Sequence, residues 1–295
     1  MFGLLNINKP LTWTSRDVVN RVQRFVRPDK AGHAGTLDPL ATGILIVCVG
    51  PATRLIEYVQ RQPKQYRGTF LFGRSSDTED IQGEVRALAD TPQPAREELL
   101  QVLPQFLGRI KQQPPAYSAL KVNGQRAYDL ARRGEAVELA PRTIEVFDLR
   151  LVGYSYPEFV LDITCGGGTY VRSLGRDIAL KLGTAAVMSG LVRTAIGPFR
   201  LAESLELPEL DVNNVKSELL SPALAVHGLP TLVLTEAEQR RLVLGQNIER
   251  ADAPPESDEF AALDAHGTLL GILTRRHDAT FKPEKVFLPA RSASE

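Results

Sequence analysis

The chain has 295 residues, 43% hydrophobic and 24% charged, which accommodates one large domain and a small one around packed cores. Lys plus Arg number 35 and Asp plus Glu number 35, so a generic polyanion binder is excluded while local basic patches are not. The two cysteines, Cys48 and Cys165, lie in apolar strand-like sequence, which excludes a disulfide framework and a cysteine zinc site and fits a reducing cytoplasm. Residues 1–10 lack the basic start and apolar run of a signal peptide, and no later stretch is long enough to span a bilayer.

In chain order, residues 4–10 read as a short strand ended by Lys9-Pro10. Thr14 or Ser15 can cap the next helix, with Asp17 in its first turn and Val18, Val19, Val22, Phe25 and Val26 on one face. Arg16, Arg21, Arg24 and Arg27 fall mostly off that face, as a solvated surface or as a strip contacting backbone phosphates. Residues 32–43, Gly-His-Ala-Gly-Thr-Leu-Asp-Pro-Leu-Ala-Thr-Gly, are too rich in glycine and proline for a helix or an inner strand. They predict a rigid loop presenting one acid, Asp38, which either caps a backbone N–H or is offered for chemistry. Ile44–Val49 is an unbroken apolar run with the profile of a buried strand.

Residues 52–60 predict a helix and 64–73 a strand; 77–83 is a polar loop without calcium-ligand spacing. A helix is expected over 95–107, with Leu99, Leu100, Leu103 and Phe106 inward. Residues 113–134 are basic with aromatics interleaved. Lys121, Arg126, Arg132 and Arg133 offer phosphate contacts and Tyr117 and Tyr128 stacking surfaces, or the segment is an ordinary charged loop. Strands follow at 142–151 and 159–165. Gly166–Gly168 opens a helix with Val171, Leu174, Ile178 and Leu182 on one face, and no Gly-Lys-Ser/Thr follows to make a nucleotide-binding P-loop. Residues 203–230 predict a helix punctuated by Pro208 and Pro222. Short strands at 232–234, 260–264 and 269–274 close the chain, and His227, His266 and His277 are too scattered for a metal site.

The 32–43 stretch resembles, position for position, the signature loop of the TruB family, the bacterial tRNA pseudouridine-55 synthases, and similar blocks run from Leu4 to about Phe199. The resemblance implies an α+β pseudouridine synthase fold, with a mixed, mostly antiparallel sheet, flanking helices and a small C-terminal β-rich PUA-like module. It divides the chain into a catalytic domain at 1–228, with an RNA-gripping thumb at about 113–140, and an RNA-binding domain at 229–295. The implied activity is isomerisation of uridine to pseudouridine in the T-loop (position 55) of tRNA, on a base flipped out of its stack.

Site residues carry over with the motifs. Asp38 matches the nucleophile, Arg172 the arginine that holds it by a bidentate contact, and Tyr66 the tyrosine that stacks on the base and is a candidate proton relay. Lys9, His33, Tyr170, Leu191, Lys121 and Arg126 match substrate or RNA contacts. Val192 departs from the family's usual arginine, so only Leu191 and Arg193 of that block carry over. The reaction neither oxidises nor imports a group, so no metal or other cofactor is expected. Attack through the ribose, by way of a glycal, and attack on the base both remain open. The expected partner is the tRNA T-stem-loop, in the cytoplasm, with no membrane and no obligatory protein partner. Two alternatives stand: a guide-RNA-dependent synthase of the related archaeal and eukaryotic type, and a non-catalytic RNA-binding or tRNA-folding protein.

Overall fold

The computed structural model describes residues 1–118, 120–122, 125–135 and 139–287, with backbone alone at Lys121, Val122, Arg126, Asp129 and Ala131. The N-terminal stretch forms β1 (Gly3–Lys9), α1 (Ser15–Val26), β2 (Ala31–His33), β3 (Ala41–Val49), α2 (Ile56–Arg61) and β4 (Lys64–Phe72). Then come the small ladder β5 (Arg74–Ser75) with β6 (Arg86–Ala87), α3 (Arg96–Val102), β7 (Gly108–Gln112), the hairpin β8 (Lys121–Val122) with β9 (Gln125–Arg126), and α4 (Ala127–Arg132). β10 (Arg142–Ser155), β11 (Glu158–Cys165), α5 (Val171–Lys181), β12 (Ala186–Ile196), β13 (Phe199–Arg200) and β14 (Leu205–Glu206) complete the first unit.

Among the described residues, ten strands join in one mixed sheet, ordered β14-β1-β3-β12-β4-β11-β10-β7 with β2 and β13 as side branches. Most pairs are antiparallel; β12 runs parallel to β3, and β14 parallel to β1. The apolar run in β3 follows from burial on both faces. Ile44, Ile46 and Cys48 pack toward α2, while Leu45, Val47 and Val49 pack against the valines of α1. Thr14 caps α1, its side chain accepting from the Asp17 N–H while the Asp17 carboxylate reaches back.

After residue 230 the chain builds a second sheet from β15 (Thr231–Val233), β16 (Ile248–Glu249), β17 (Glu259–Leu263), β18 (Leu269–His277) and β19 (Thr280–Val286), with α6 (Glu236–Val243) against it. Leu232, Leu242, Phe260, Leu273 and Phe281 form its own core. It docks on α2 through Tyr58 and Arg61 to Glu259 and Lys285 to Glu57, and on the residue before β1 through Phe287 stacked on Phe2.

Several expectations need correction. Residues 203–230 hold no long helix but 3₁₀ turns at Leu201–Glu203, Leu207–Glu209 and Pro222–Val226. Each proline of that stretch removes a helical N–H, and the apolar residues lack helical spacing. The helix expected over 52–60 begins as a 3₁₀ turn, Gly50–Leu55, before α2. Pro104 likewise splits the helix expected over 95–107 into α3 and a 3₁₀ turn, and Leu100 faces solvent, one step round from Leu99 and Leu103. The loop at 32–43 is shorter than expected, because Ala31–His33 and Ala41 onward pair into the sheet. Helix α6 and strands β16 and β19 were not anticipated.

Candidate active site

Asp38 sits at the top of the loop joining β2 to β3, and the chain fastens that loop from four directions. Ser15, at the first turn of α1, accepts from the Leu37 N–H at 2.9 Å and donates to the Leu37 carbonyl at 3.2 Å. The Thr12 N–H donates to the Pro39 carbonyl at 2.9 Å, and the Ala41 N–H to the Asp38 carbonyl at 3.0 Å. Arg193, from β12, donates to the Ile44 carbonyl at 2.7 Å and the Gly35 carbonyl at 3.2 Å. Gly43 passes so close to β12 that a Cβ there would lie 2.3 Å from the Arg193 carbonyl oxygen, and its φ of +93° disfavours any side chain.

The Asp38 carboxylate, one third exposed, meets a buried guanidinium. Arg172 Nε lies 2.9 Å from Oδ2, and Nη2 donates to Oδ1 at 3.3 Å. The Nε contact is off-axis for a hydrogen bond and is an ion pair in kind, yet the two nitrogens together make the expected side-on, two-point contact. Arg172 also donates to the Thr78 carbonyl at 2.7 Å and to the Tyr117 carbonyl at 3.0 Å. The buried Asp80 stands 3.7 Å from Nε, its Oδ1 held by Thr78 Oγ1 and the Gln82 N–H. One guanidinium thus ties together the signature loop, the 77–83 loop and the start of the 113–140 segment. Arg176, one turn on, binds Glu79, whose carboxyl burial pushes above its ordinary range against the pull of that arginine.

Tyr66 and Arg193 are direct cross-strand partners on β4 and β12, and Leu191, two residues back on β12, shares their face between Ala41 and Gly68. The half-buried Tyr66 ring packs into the core cluster that holds Leu37, Ala41 and Leu191. Burial pushes its phenol upward, against Arg193, so it is neutral near pH 7. His33 lies at the other side of the loop. Burial, then Arg16 and Arg193, push its pKa down, and its buried Nδ1 has no partner among the described residues.

Not every expected residue reaches this place. Lys9 is fully buried, so it offers no surface to RNA: its ammonium donates to the carbonyls of Pro10 at 2.8 Å and Trp13 at 2.6 Å, and 3.5 Å away to Pro39, and it supports the loop from below. Tyr170 makes no hydrogen bond to Asp38 among the described residues. Its backbone is bonded both ways to Gln112, and the Arg142 guanidinium lies 4.6 Å over its ring. Lys121 and Arg126 pair by backbone in the β8–β9 hairpin, and their side chains lie outside the described residues. Tyr117 and Tyr128 pack edge to face at 5.9 Å.

The supporting residues Ser15, Thr12, Asp80, Lys64 and Arg193 were missed or left without a role. Lys9, Lys64 and Arg193 are buried cations, and among the described residues none has a carboxylate within 4.0 Å; backbone carbonyls hold them instead. They set a positive potential beneath a half-exposed carboxylate. A carboxylate so steered, beside a neutral phenol and an apolar wall, can act as a nucleophile toward a flat ring.

The chain is similar to known proteins over most of its length. The model of the TruB family pseudouridylate synthase N-terminal domain matches residues 23–171. A protein of Acaryochloris marina named tRNA pseudouridine synthase B is 41% identical over 298 residues, 99% of this chain and 100% of that one. One of the same name from Dehalococcoides mccartyi is 39% identical over 292 residues, 98% of this chain and 97% of that one. Among solved structures, a chain of an H/ACA RNP bound to a substrate RNA containing 2'-deoxyuridine shares the fold, with a TM-score of 0.75, 22% identity and coverage of 98% of this chain and 86% of that one. A chain of a Cbf5-Nop10-Gar1 complex does likewise, with a TM-score of 0.74, 23% identity and coverage of 98% and 85%.

Proposed function

Because the chain belongs to the TruB family of pseudouridylate synthases, and is an isomerase by that membership, we propose that it converts uridine to pseudouridine in the T-loop of tRNA with Asp38 as nucleophile. The observation that carries this reading is the Asp38–Arg172 pair at 2.9 Å, its carboxylate one third exposed, on the loop whose Leu37 packs with Tyr66 and Leu191. The name shared by relatives aligned over nearly the whole chain supports tRNA as the substrate.

In this reading the target uridine leaves its stack and enters between Tyr66 and the signature loop. By either route the Asp38 carboxylate supplies the electron pair that starts the step: the glycosidic N–C bond breaks with its electrons on the ring nitrogen, the freed ring turns, its carbon bonds the sugar as the carboxylate is released, and the proton lost from carbon is matched by one taken up on nitrogen. Arg172 fixes the direction of that electron pair, a demand on geometry rather than on binding. Tyr66 stacks on the ring and, as a neutral phenol, relays the proton that leaves carbon. The 113–140 segment grips RNA, and the tie from Arg172 to the Tyr117 carbonyl couples that grip to the nucleophile's position. Residues 229–295 act as a PUA-like RNA-binding module, and the protein works in the cytoplasm.

The test is to incubate the purified chain alone with an unmodified tRNA transcript and map pseudouridine by chemical modification and primer extension. A single new stop in the T-loop is expected. Modification that appears only after a guide RNA or protein partners are added would overturn the stand-alone reading, and a stop elsewhere would overturn the T-loop assignment.

A further inference from the structure

A second feature of the fold lies against the signature loop but belongs to none of the roles above. Residues 10–13 and the outer side of α1 wall an open groove of about 890 Å³, closed on its far side by Leu207 and Pro208. Trp13, Asn20, Arg21 and Arg24 line it, with Asp17 as its acid. The volume is in the range of small-ligand sites and holds a nucleotide with room to spare.

Its charge is one-sided. Arg16, Arg21 and Arg24 on α1 and Arg27 just past its end are exposed, and among the described residues none has a carboxylate within 4.0 Å. Three such guanidiniums on one short helix and a fourth at its end stand out in a chain of zero formal net charge. Asp17 is their one acid in the groove and pairs with none of them: its Oδ2 accepts from the Thr14 N–H at 2.9 Å and hydroxyl at 2.6 Å, and among the described residues no guanidinium nitrogen lies within 4.0 Å of it. Arg21 lies flat over Phe25, 4.9 Å from the ring centroid, which limits its freedom before any ligand arrives. Trp13 remains 37% exposed despite its size.

The groove adjoins the signature loop. The Thr12 N–H bonds the Pro39 carbonyl, so the residue before Trp13 touches the residue after Asp38. The Trp13 carbonyl in turn accepts from Lys9 beneath the loop. An aromatic face beside guanidiniums is the combination that holds a single strand of nucleic acid, bases on the ring and phosphates on the cations.

We propose that this groove is a second RNA subsite, which seats the strand running away from the reacting nucleotide, with Trp13 against a base or ribose and Arg21 and Arg24 on phosphates. The proposal rests on the reading that RNA is the substrate. It places part of the binding energy outside the cleft, so it should appear in KM and not in kcat.

Trp13 is the chain's one tryptophan, so its emission reports this groove alone. Titrating the full protein with a tRNA transcript should quench that emission, and the quench should saturate together with binding measured independently by filter retention. Unchanged emission at saturation overturns the proposal. The double variant Arg21→Gln/Arg24→Gln should raise KM for the transcript about tenfold while kcat stays within about twofold. Its salt dependence of binding should become shallower by about one unit of logarithmic slope per arginine removed. Both side chains are exposed, so an unchanged melting temperature confirms that the variant folds. Wild-type KM and salt slope in that variant overturn the proposal. Should the wild-type protein bind transcript without forming pseudouridine, the activity reading fails, and the quench still decides the groove on its own.

Discussion

Ser15→Ala separates the job of holding the signature loop from the job of holding the helix. Ser15 is 3% exposed, and its hydroxyl serves both backbone groups of Leu37, the residue before Asp38. Alanine leaves that N–H and carbonyl without a partner in a dry place, at a cost of about 2 kcal/mol. In a domain of this size that loss lowers the melting temperature by roughly 4–8 °C. Helix α1 itself is hardly affected, since alanine is a good helix former. The functional effect is larger. Freed of its clamp, Leu37 lets Asp38 drift from the 2.9 Å contact with Arg172, and a shift on the order of 1 Å costs up to about a hundredfold in rate. The control is Thr14→Ala, which removes the helix cap at about 1 kcal/mol and leaves Leu37 bonded. Calorimetry and single-turnover tritium release from labelled uridine read the two effects. Ser15→Ala should lose at least about tenfold in kcat with KM little changed, and Thr14→Ala should stay within about twofold. Equal kcat in the two variants would refute the idea that this hydroxyl sets the position of Asp38.

Arg172→Lys should lower turnover by about a hundredfold or more, because an ammonium cannot reach Asp38 and the carbonyls of Thr78 and Tyr117 at once; near-normal single-turnover rates would remove the pair from the mechanism. Tyr66→Leu should lose turnover far more than RNA affinity, and equal losses measured by filter binding and tritium release would mark a purely structural ring. Burial pushes Lys9 and Lys64 from 10.5 down to about 8, so the unfolded chain holds more protons between those values. Stability is therefore flat below about pH 8 and rises from there toward about pH 10, by up to about 1.4 kcal/mol per pH unit for each lysine. Denaturant melts of Lys9→Met should show about half that slope, and an unchanged slope would mean that Lys9 is not the group responsible.

The elements that the chain announces are those whose pattern has a single physical cause. Ile44–Val49 reads as buried because both faces are covered, and the valines of α1 read as a helix face because they repeat at its period. Loop residues 32–43 are legible through their glycines, of which Gly43 passes too near β12 for a side chain and Gly35 holds a φ of +118°. What stayed hidden depends on distant partners. Nothing local to Lys9 says that its ammonium turns inward to three carbonyls, and nothing near Asp80 says that it flanks Arg172 from 92 positions upstream. Arg193 showed only as part of a family block, since its targets, Gly35 and Ile44, are reached by strand pairing. The helix expected over residues 203–230 is replaced by 3₁₀ turns, because Pro208 and Pro222 each remove a helical N–H. Tyr170 was placed by resemblance, and the geometry gives its ring to Arg142.

The proposed chemistry turns on the Asp38 carboxylate as nucleophile. It is tested most directly by giving the Asp38→Asn protein a tRNA transcript carrying tritium at carbon 5 of uridine, and following release of label and RNA affinity on the same preparation. Binding within about twofold of wild type and no release above background are expected, because the amide keeps the shape and loses the nucleophile. Release at an appreciable fraction of the wild-type rate would contradict it.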